Sequence, residues 1–336
     1  MLSRTASHLY WLSRYLERAE NTARMLDVTQ SMMLLSAPAS GDGHGGPREI
    51  GAPLQITGLI SEYRAQVGEI DAASVTRFLA WNPDLPSSIV NCLAAARENA
   101  RAVRGAITTE MWESINATWL ELGRWQAASP GGSIAAEFFD WVKERSHLFR
   151  GVTFGTIRRD QAYSFIRLGT FLERADNTAR ILDARYYHHY AAEDEDEGGR
   201  EDRDVQTQGA ADGEFHPREH YAWSALLRSV SSLEAYRDTY RDMIDGRRVA
   251  ELLIFNDKMP RSLRFCFDEI DRILRQLPPD TGRTARRIAA GLHAELQFGA
   301  IDEAIDAGLH RYLKSFINRS LGLGEAVQEA YLETQA

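Results

Sequence analysis

Cysteine is nearly absent: Cys92 and Cys266 are the two in 336 residues. That is too few for a disulfide framework or, on their own, for a thiolate zinc site. Each reads as a buried free thiol. No stretch approaches the roughly 18 apolar residues that a membrane-spanning helix needs. The N-terminal MLSRTASHLYWLSRYLERAE is broken by Arg4, His8, Arg14 and Glu17, so it lacks the continuous apolar core of a signal peptide. A cytoplasmic protein is expected. HExxH, CxxC, GxSxG and Walker-type loops are all missing, which leaves the chain without a familiar signature of zinc, thiol, serine or nucleotide chemistry.

A surplus of positive charge is lacking too. The formal charge is −9, and within EDEDEGGREDRD (193–204) eight acids and two arginines leave −6, so the remainder carries −3. A body that nearly balanced has no electrostatic footprint for nucleic acid, and binding to a membrane surface is equally unsupported. His188 and His189 are adjacent, but neighbouring helical positions face different ways, and Glu144-x-x-His147 supplies the di-metal spacing once only. Neither metal nor cofactor is expected.

What is present is helical periodicity. Leu9, Leu12, Leu16, Ala19, Ala23 and Leu26 fall on one stripe, and the same period runs through 88–107, 267–277 and 287–298. An all-α fold is predicted, with short loops and two longer breaks. SAPASGDGHGGPREIGAP (36–53), rich in Gly, Pro and Ser, reads as a mobile loop. The acidic stretch 193–215 reads as a solvated, disordered insertion.

The chain also repeats itself. LERAENTARMLD (16–27) returns as LERADNTARILD (172–183) with ten of twelve positions identical. DAASVTRFLAWNPDLPSSIVNCL (71–93) matches DGRRVAELLIFNDKMPRSLRFCF (245–267) at Asp71/Asp245, Asn82/Asn256, Pro86/Pro260, Ser88/Ser262 and Cys92/Cys266, among others. The offsets are 173 − 17 = 156 and 256 − 82 = 174, and the 18-residue difference is about what the acidic insertion adds. Two motifs in the same order predict an internal duplication: halves at 1–155 and 156–336, related by a pseudo-two-fold axis and packed as one body. Pro86 and Pro260 should stand where new helices begin, each with an Asn in the preceding turn.

Glu17, Asn21 and Arg24 lie at i, i+4 and i+7, and Glu173, Asn177 and Arg180 repeat them. The rise from acid to arginine is about 10 Å, so Asn bridges the two, or each Glu meets an Arg of the other copy. Two readings stay open. A symmetric ion-pair network could dock the halves, because charges beside a core must be paired. Alternatively a polar cavity could form in which Arg24 and Arg180 hold a carboxylate or phosphate and Glu17 or Glu173 serves as a general base. RENARAVRGAITTEMWESIN (97–116) is not duplicated; Glu98, Arg101 and Arg104 align on a helix, and GAITT should open another carrying Glu110, Glu113 and Asn116.

MLSRTASHLYWLSRYLERAENTARMLDV, RENARAVRGAITTEMWESIN and FIRLGTFLERADNTARILD resemble the signatures of the bacterial alpha-E family of helical proteins, in order, over residues 1 to about 320. The motif positions carried over are Arg14, Glu17, Arg18, Asn21, Arg24, Glu98, Arg101, Glu110, Glu173, Arg174, Asn177 and Arg180. One departure is Thr170, which stands opposite Arg14 where a basic residue is usual. Members of the family are usually encoded beside an ATP-grasp amide-forming ligase and a transglutaminase-like cysteine protease. The resemblance thus implies a part in making, or modifying with, a peptide or amide. On that footing the expected role is a helical accessory protein that binds the ligase or an anionic substrate. The alternative is an enzyme of the same pathway, with Glu17 and Glu173 catalytic and Arg14, Asn21, Arg24, Glu98, Arg101, Glu110, Asn177 and Arg180 binding ligand.

Overall fold

The computed structural model describes residues 1–35, 46–128, 136–194, 217–278 and 281–333. These form fifteen α-helices and a terminal π-helical turn, with no strand among the described residues. Two long helices, α1 (Ser3–Leu35) and α8 (Gln161–Asp194), lie against each other and organise the rest. α5 (Ile89–Ala102) and α7 (Ala136–Thr156) pack on α1, while α12 (Leu263–Gln276) and α15 (Leu309–Val327) pack on α8. The buried side chains form one continuous cluster running through elements from both ends of the chain.

The stripe read from the sequence is the buried face of α1: Leu9, Leu12, Leu16, Ala19, Ala23 and Leu26 are all enclosed. Helix α12 likewise buries Phe267, Ile270, Ile273 and Leu274, and α13 (Arg283–Phe298) buries Ala285, Ala289, Leu292 and Leu296, while Phe298 at its end is exposed. GAITT does open a new helix, α6 (Thr109–Ala128), where Thr108 Oγ1 accepts from the Met111 amide.

The second pair of matching stretches also folds alike in local detail. Asp71 caps α4 (Ala72–Trp81), and Asp245 caps α11 (Gly246–Phe255), each carboxylate accepting backbone N–H groups of the first turn. That satisfies donors that a helix start leaves without intrahelical partners. Asn82 and Asn256 end those helices, and Ser88 and Ser262 cap α5 and α12. Pro86 and Pro260 therefore precede the new helices by a few residues and belong to the connecting turns; Cys92 and Cys266 place their thiols 3.9 and 3.8 Å from the carbonyls of those prolines. Both cysteines are buried and free, and burial pushes each thiol up to about 12.

One break differs from expectation. Residues 46–53 are not loop but the first part of helix α2 (Gly46–Thr57), which includes Pro53. Pro is unfavourable inside a helix, yet Gly51, Pro53 and Leu54 are buried there, and α2 lies against α1 and α8. Tertiary packing overrides the local signal. Residues 36–45 of the same stretch lie outside the described residues. Glu193 and Asp194 close α8, and 195–215 lie outside the described residues as well. None of the described helices is long and apolar enough to cross a membrane.

Candidate functional site

The repeated LERA-x-NTAR stretches sit in the middle of α1 and α8 and face each other. Their charges cross. Glu17 on α1 receives a two-pronged hydrogen bond from Arg174 on α8, through Nε at 2.9 Å and Nη2 at 3.0 Å. Glu173 on α8 receives Arg18 of α1 in the same way, at 2.6 and 3.0 Å. Planar guanidinium matches carboxylate in this geometry, which is why the contact is bidentate in both directions. Arg14 adds a third bond to Glu173 at 2.7 Å while its guanidinium lies over the Tyr10 and Trp11 rings.

The two ends of this crossing are not equivalent. Where Arg14 reinforces Glu173, Glu17 is reinforced by Arg150 of α7, at 3.0 Å, and by Arg261, at 3.2 Å, from the turn before α12. Glu20, fully enclosed, joins the same group. It pairs with Arg24 one turn along, with Arg261 at 2.7 Å and with Arg150, and it accepts from Ser146 Oγ at 2.7 Å. His147 lies 3.4 Å from Glu20 and 3.0 Å from Arg24. Asn21 Oδ1 accepts from Arg261 Nη1 at 2.9 Å, whereas its Nδ2, like that of Asn177, is buried without a partner among the described residues.

Burial opposes the ionised form of every carboxylate here, and the arginines outweigh it. Against that burial, Arg14 and Arg18 hold Glu173 down to about 2. Arg174, Arg261 and Arg150 hold Glu17 below its ordinary value. The His147 hydrogen bond, Arg261 and Arg150 hold Glu20 well below it. The arginines do not all gain equally. Burial, only partly answered by Glu17 and reinforced by the nearby Arg174, brings Arg261 down to about 10, so it stays charged at neutral pH but is under-compensated. The charge count agrees: Glu17 and Glu20 face Arg24, Arg150, Arg174 and Arg261, an excess of 4 − 2 = 2 positive charges among the described residues.

A cavity of about 140 Å³ opens beside this group, with Glu17, Ser146, Arg150, Thr170, Arg174 and Tyr163 in its wall. Of the residues singled out from the sequence, Arg14, Arg18 and Glu173 thus form one group and Glu17, Asn21, Arg24 and Arg174 belong to a second, on either side of the crossing. Arg24 and Arg180 do not make the cross-helix contacts expected of them. Each turns back one helical turn, Arg24 to Glu20 and Arg180 to Asp176, at 2.9 and 2.8 Å. The crossing runs through Arg18 and Arg174 instead, the residues that directly follow each glutamate. Asn21 bridges to Arg261, not between Glu17 and Arg24.

Glu98, Arg101 and Glu110 stand apart. Glu98 pairs with Arg97 and Arg101 on the surface of α5, Arg97 also reaches Asn116, and Glu110 is exposed at the start of α6. Sequence reasoning missed Glu20, Ser146, Arg150 and Arg261. Arg261 did carry a signal: within the second matching stretch it stands opposite Ser87 (261 − 174 = 87), a charge present in one copy only. No group of three potential metal ligands occurs among the described residues, and the side chains of His188 and His189 lie outside them.

Comparison with known proteins fits this geometry. The Alpha-E family model, described as "a predicted alpha-helical domain with a conserved ER motif", matches residues 1–332. Glu17-Arg18 and Glu173-Arg174 are both ER pairs. Relatives described as uncharacterised proteins of Mycobacterium bovis and Mycobacterium tuberculosis are 24% identical over 294 residues, which is 83% of this chain and 30% of theirs. The chain thus spans less than a third of those relatives' length. No solved structure matches it.

Proposed function

The chain belongs to the Alpha-E family, and from that premise we propose that it is a helical accessory protein of an ATP-grasp amide-forming system, holding the ligase or an anionic substrate instead of turning one over. The observation that carries this reading is the saturation of both ER carboxylates. A general base needs a pKa near the working pH and a lone pair aimed at substrate. Glu173, enclosed and held at about 2 by two arginines, has neither. Glu17 is bonded on both oxygens. These are features of a clamp. The mycobacterial relatives favour the same view, since the matched stretch is a minor part of much longer chains, as suits a module that works beside another activity.

The clamp has a natural origin in an internal duplication, which is part of the proposal. Besides the repeated letters, the support is reciprocity. Glu17–Arg174 and Glu173–Arg18 exchange partners between positions 156 apart. Ser13 and Gly169, also 156 apart, meet where α1 and α8 leave no room for a Cβ on Gly169. A pseudo-two-fold axis between the helices accounts for all of these contacts at once, because equivalent positions meet on such an axis.

Co-expression with the neighbouring ATP-grasp ligase, followed by affinity capture, tests the reading. A stable complex at micromolar concentration is expected; two chains that elute separately overturn it. The cavity beside Glu17 favours a second reading, an enzyme of the same pathway acting on a carboxylate, amine or phosphorylated intermediate. Purified protein incubated with ligase products and followed by mass spectrometry decides between them. Turnover abolished in Glu17→Gln selects the enzyme.

A further inference from the structure

The cavity beside Glu17 coincides with a departure between the repeats. On the Glu173 side, Arg14 reaches across from α1 and fills the space against Tyr10. The position that matches Arg14 is Thr170 (170 − 156 = 14), and Thr170 lies in the wall of the cavity, its hydroxyl bonded to the carbonyl of Ile166. A short side chain stands where a guanidinium occupies the other copy, and a hole of about 140 Å³ remains.

The wall decides what could enter. Leu16, Phe149, Phe154 and Ile166 supply apolar surface. The small hydroxyls are already engaged: Ser13 donates to Tyr10 O, Thr153 to Phe149 O and Ser146 to Glu20. Two arginines are not fully engaged. Arg150 makes its contacts to Glu17, Glu20 and Ser146 through Nη1 alone, which leaves Nε and Nη2. Arg167 donates to Glu269 through Nη2 at 2.8 Å, while its Nε is buried with no partner. Both line the cavity. A buried unpaired donor on a cation is costly, and the adjoining group already carries two positive charges in excess.

We infer that this cavity binds a small organic carboxylate, its two oxygens taken by Arg150 and Arg167 and its apolar body by the Leu16, Phe149 and Ile166 wall. A carboxylate fits better than a phosphate. Its two oxygens match the guanidinium edges on offer, whereas a phosphate dianion asks for more donors than the committed hydroxyls leave. The size fits as well: a cavity of roughly 150 Å³ takes one benzene-sized body, so a nucleotide is too large. The inference deepens the anionic-substrate side of the proposed function. It is independent of ligase association, so a failed capture experiment leaves it standing and its own failure leaves the clamp intact.

Titration of the full chain with benzoate, benzamide and inorganic phosphate, followed calorimetrically, tests it. Benzoate should bind saturably at one site per chain, with benzamide and phosphate each at least tenfold weaker. Thr170→Arg, which copies Arg14 into the cavity, should weaken benzoate at least tenfold, and Arg167→Gln should do so by removing one receptor. Denaturation curves establish that each variant is folded, and if Thr170→Arg is not, Arg167→Gln decides. Absence of saturable benzoate binding at millimolar concentration overturns the inference. So does equal affinity for benzamide, tighter binding of phosphate, or unaltered benzoate affinity in the folded variants.

Discussion

At the scale of single residues, the chain commits its charges unevenly. Glu173 shares two arginines and is nearly enclosed, so removing its charge leaves the part-buried Arg14 and Arg18 without their carboxylate. Breaking one side of a buried pair typically costs about 3–5 kcal/mol, and Glu173→Gln should lower stability by that order in urea denaturation. Glu98→Gln, at a surface pair that is about half exposed, should change it by less than about 0.5 kcal/mol. The same carboxylate sets an acid limit. Its folded pKa of about 2 lies below the ordinary value of 4.5, so its contribution is fully present above about pH 4.5 and is lost as pH falls towards 2. The 2.5-unit gap corresponds to about 3 kcal/mol. Stability measured from pH 6 down to 2 should therefore fall steeply in the wild type and less so in Glu173→Gln. An identical slope in the two would mean that Glu173 is not the group responsible.

Helix by helix, the arrangement depends on how closely α1 and α8 approach. A Cβ added at Gly169 would collide with Ser13 Oγ and the Tyr10 carbonyl, and the carbonyl belongs to a helix backbone that cannot yield. Gly169→Ala should cost about 2 kcal/mol or more, as overpacked positions do. Gly151→Ala, on the exposed face of α7 with nothing within 4 Å of the new methyl, should stabilise by about 0.5–1 kcal/mol through helix propensity. Opposite signs in thermal melts are the expected result. The elements were largely legible beforehand because period and caps are local: the α1 stripe, the Asp and Ser caps and the new helix after GAITT all follow from near neighbours in sequence. α2 was not, since its Gly and Pro content points to loop while burial of Gly51, Pro53 and Leu54 is a tertiary effect. The candidate site was half legible for the same reason. Glu17 and Glu173 announce themselves by repetition, whereas Arg14 stands opposite Thr170 in the other stretch, and Arg150 and Arg261 arrive from α7 and a distant turn with no periodic mark. Spacing alone leaves open an Asn bridge or a crossing through Arg24 and Arg180, and it cannot show that a one-turn bond to Glu20 or Asp176 is the nearer alternative.

For the molecule as a whole, the charges make the two ends of the chain depend on each other. Glu17 and Glu20 lie on α1, but of their partners Arg174 belongs to α8 and Arg261 to the turn before α12. Glu173 in turn takes both of its arginines from α1. A polypeptide ending at residue 157 would keep the enclosed carboxylates of α1 while losing Arg174 and Arg261, and would expose the apolar face that α1 presents to α8. Two lost buried pairs, at a few kcal/mol each, approach the whole stability of an ordinary domain, about 5–15 kcal/mol. The fragment 1–157 should accordingly show no cooperative melt by circular dichroism, the fragment 158–336 should do no better, and mixing them should restore a single transition close to that of the intact chain. A fragment 1–157 that melts cooperatively alone would mean that the crossed ER pairs join two bodies already stable apart. Restoration on mixing, abolished when one fragment carries Glu173→Gln, would instead locate the mutual dependence in the crossing itself.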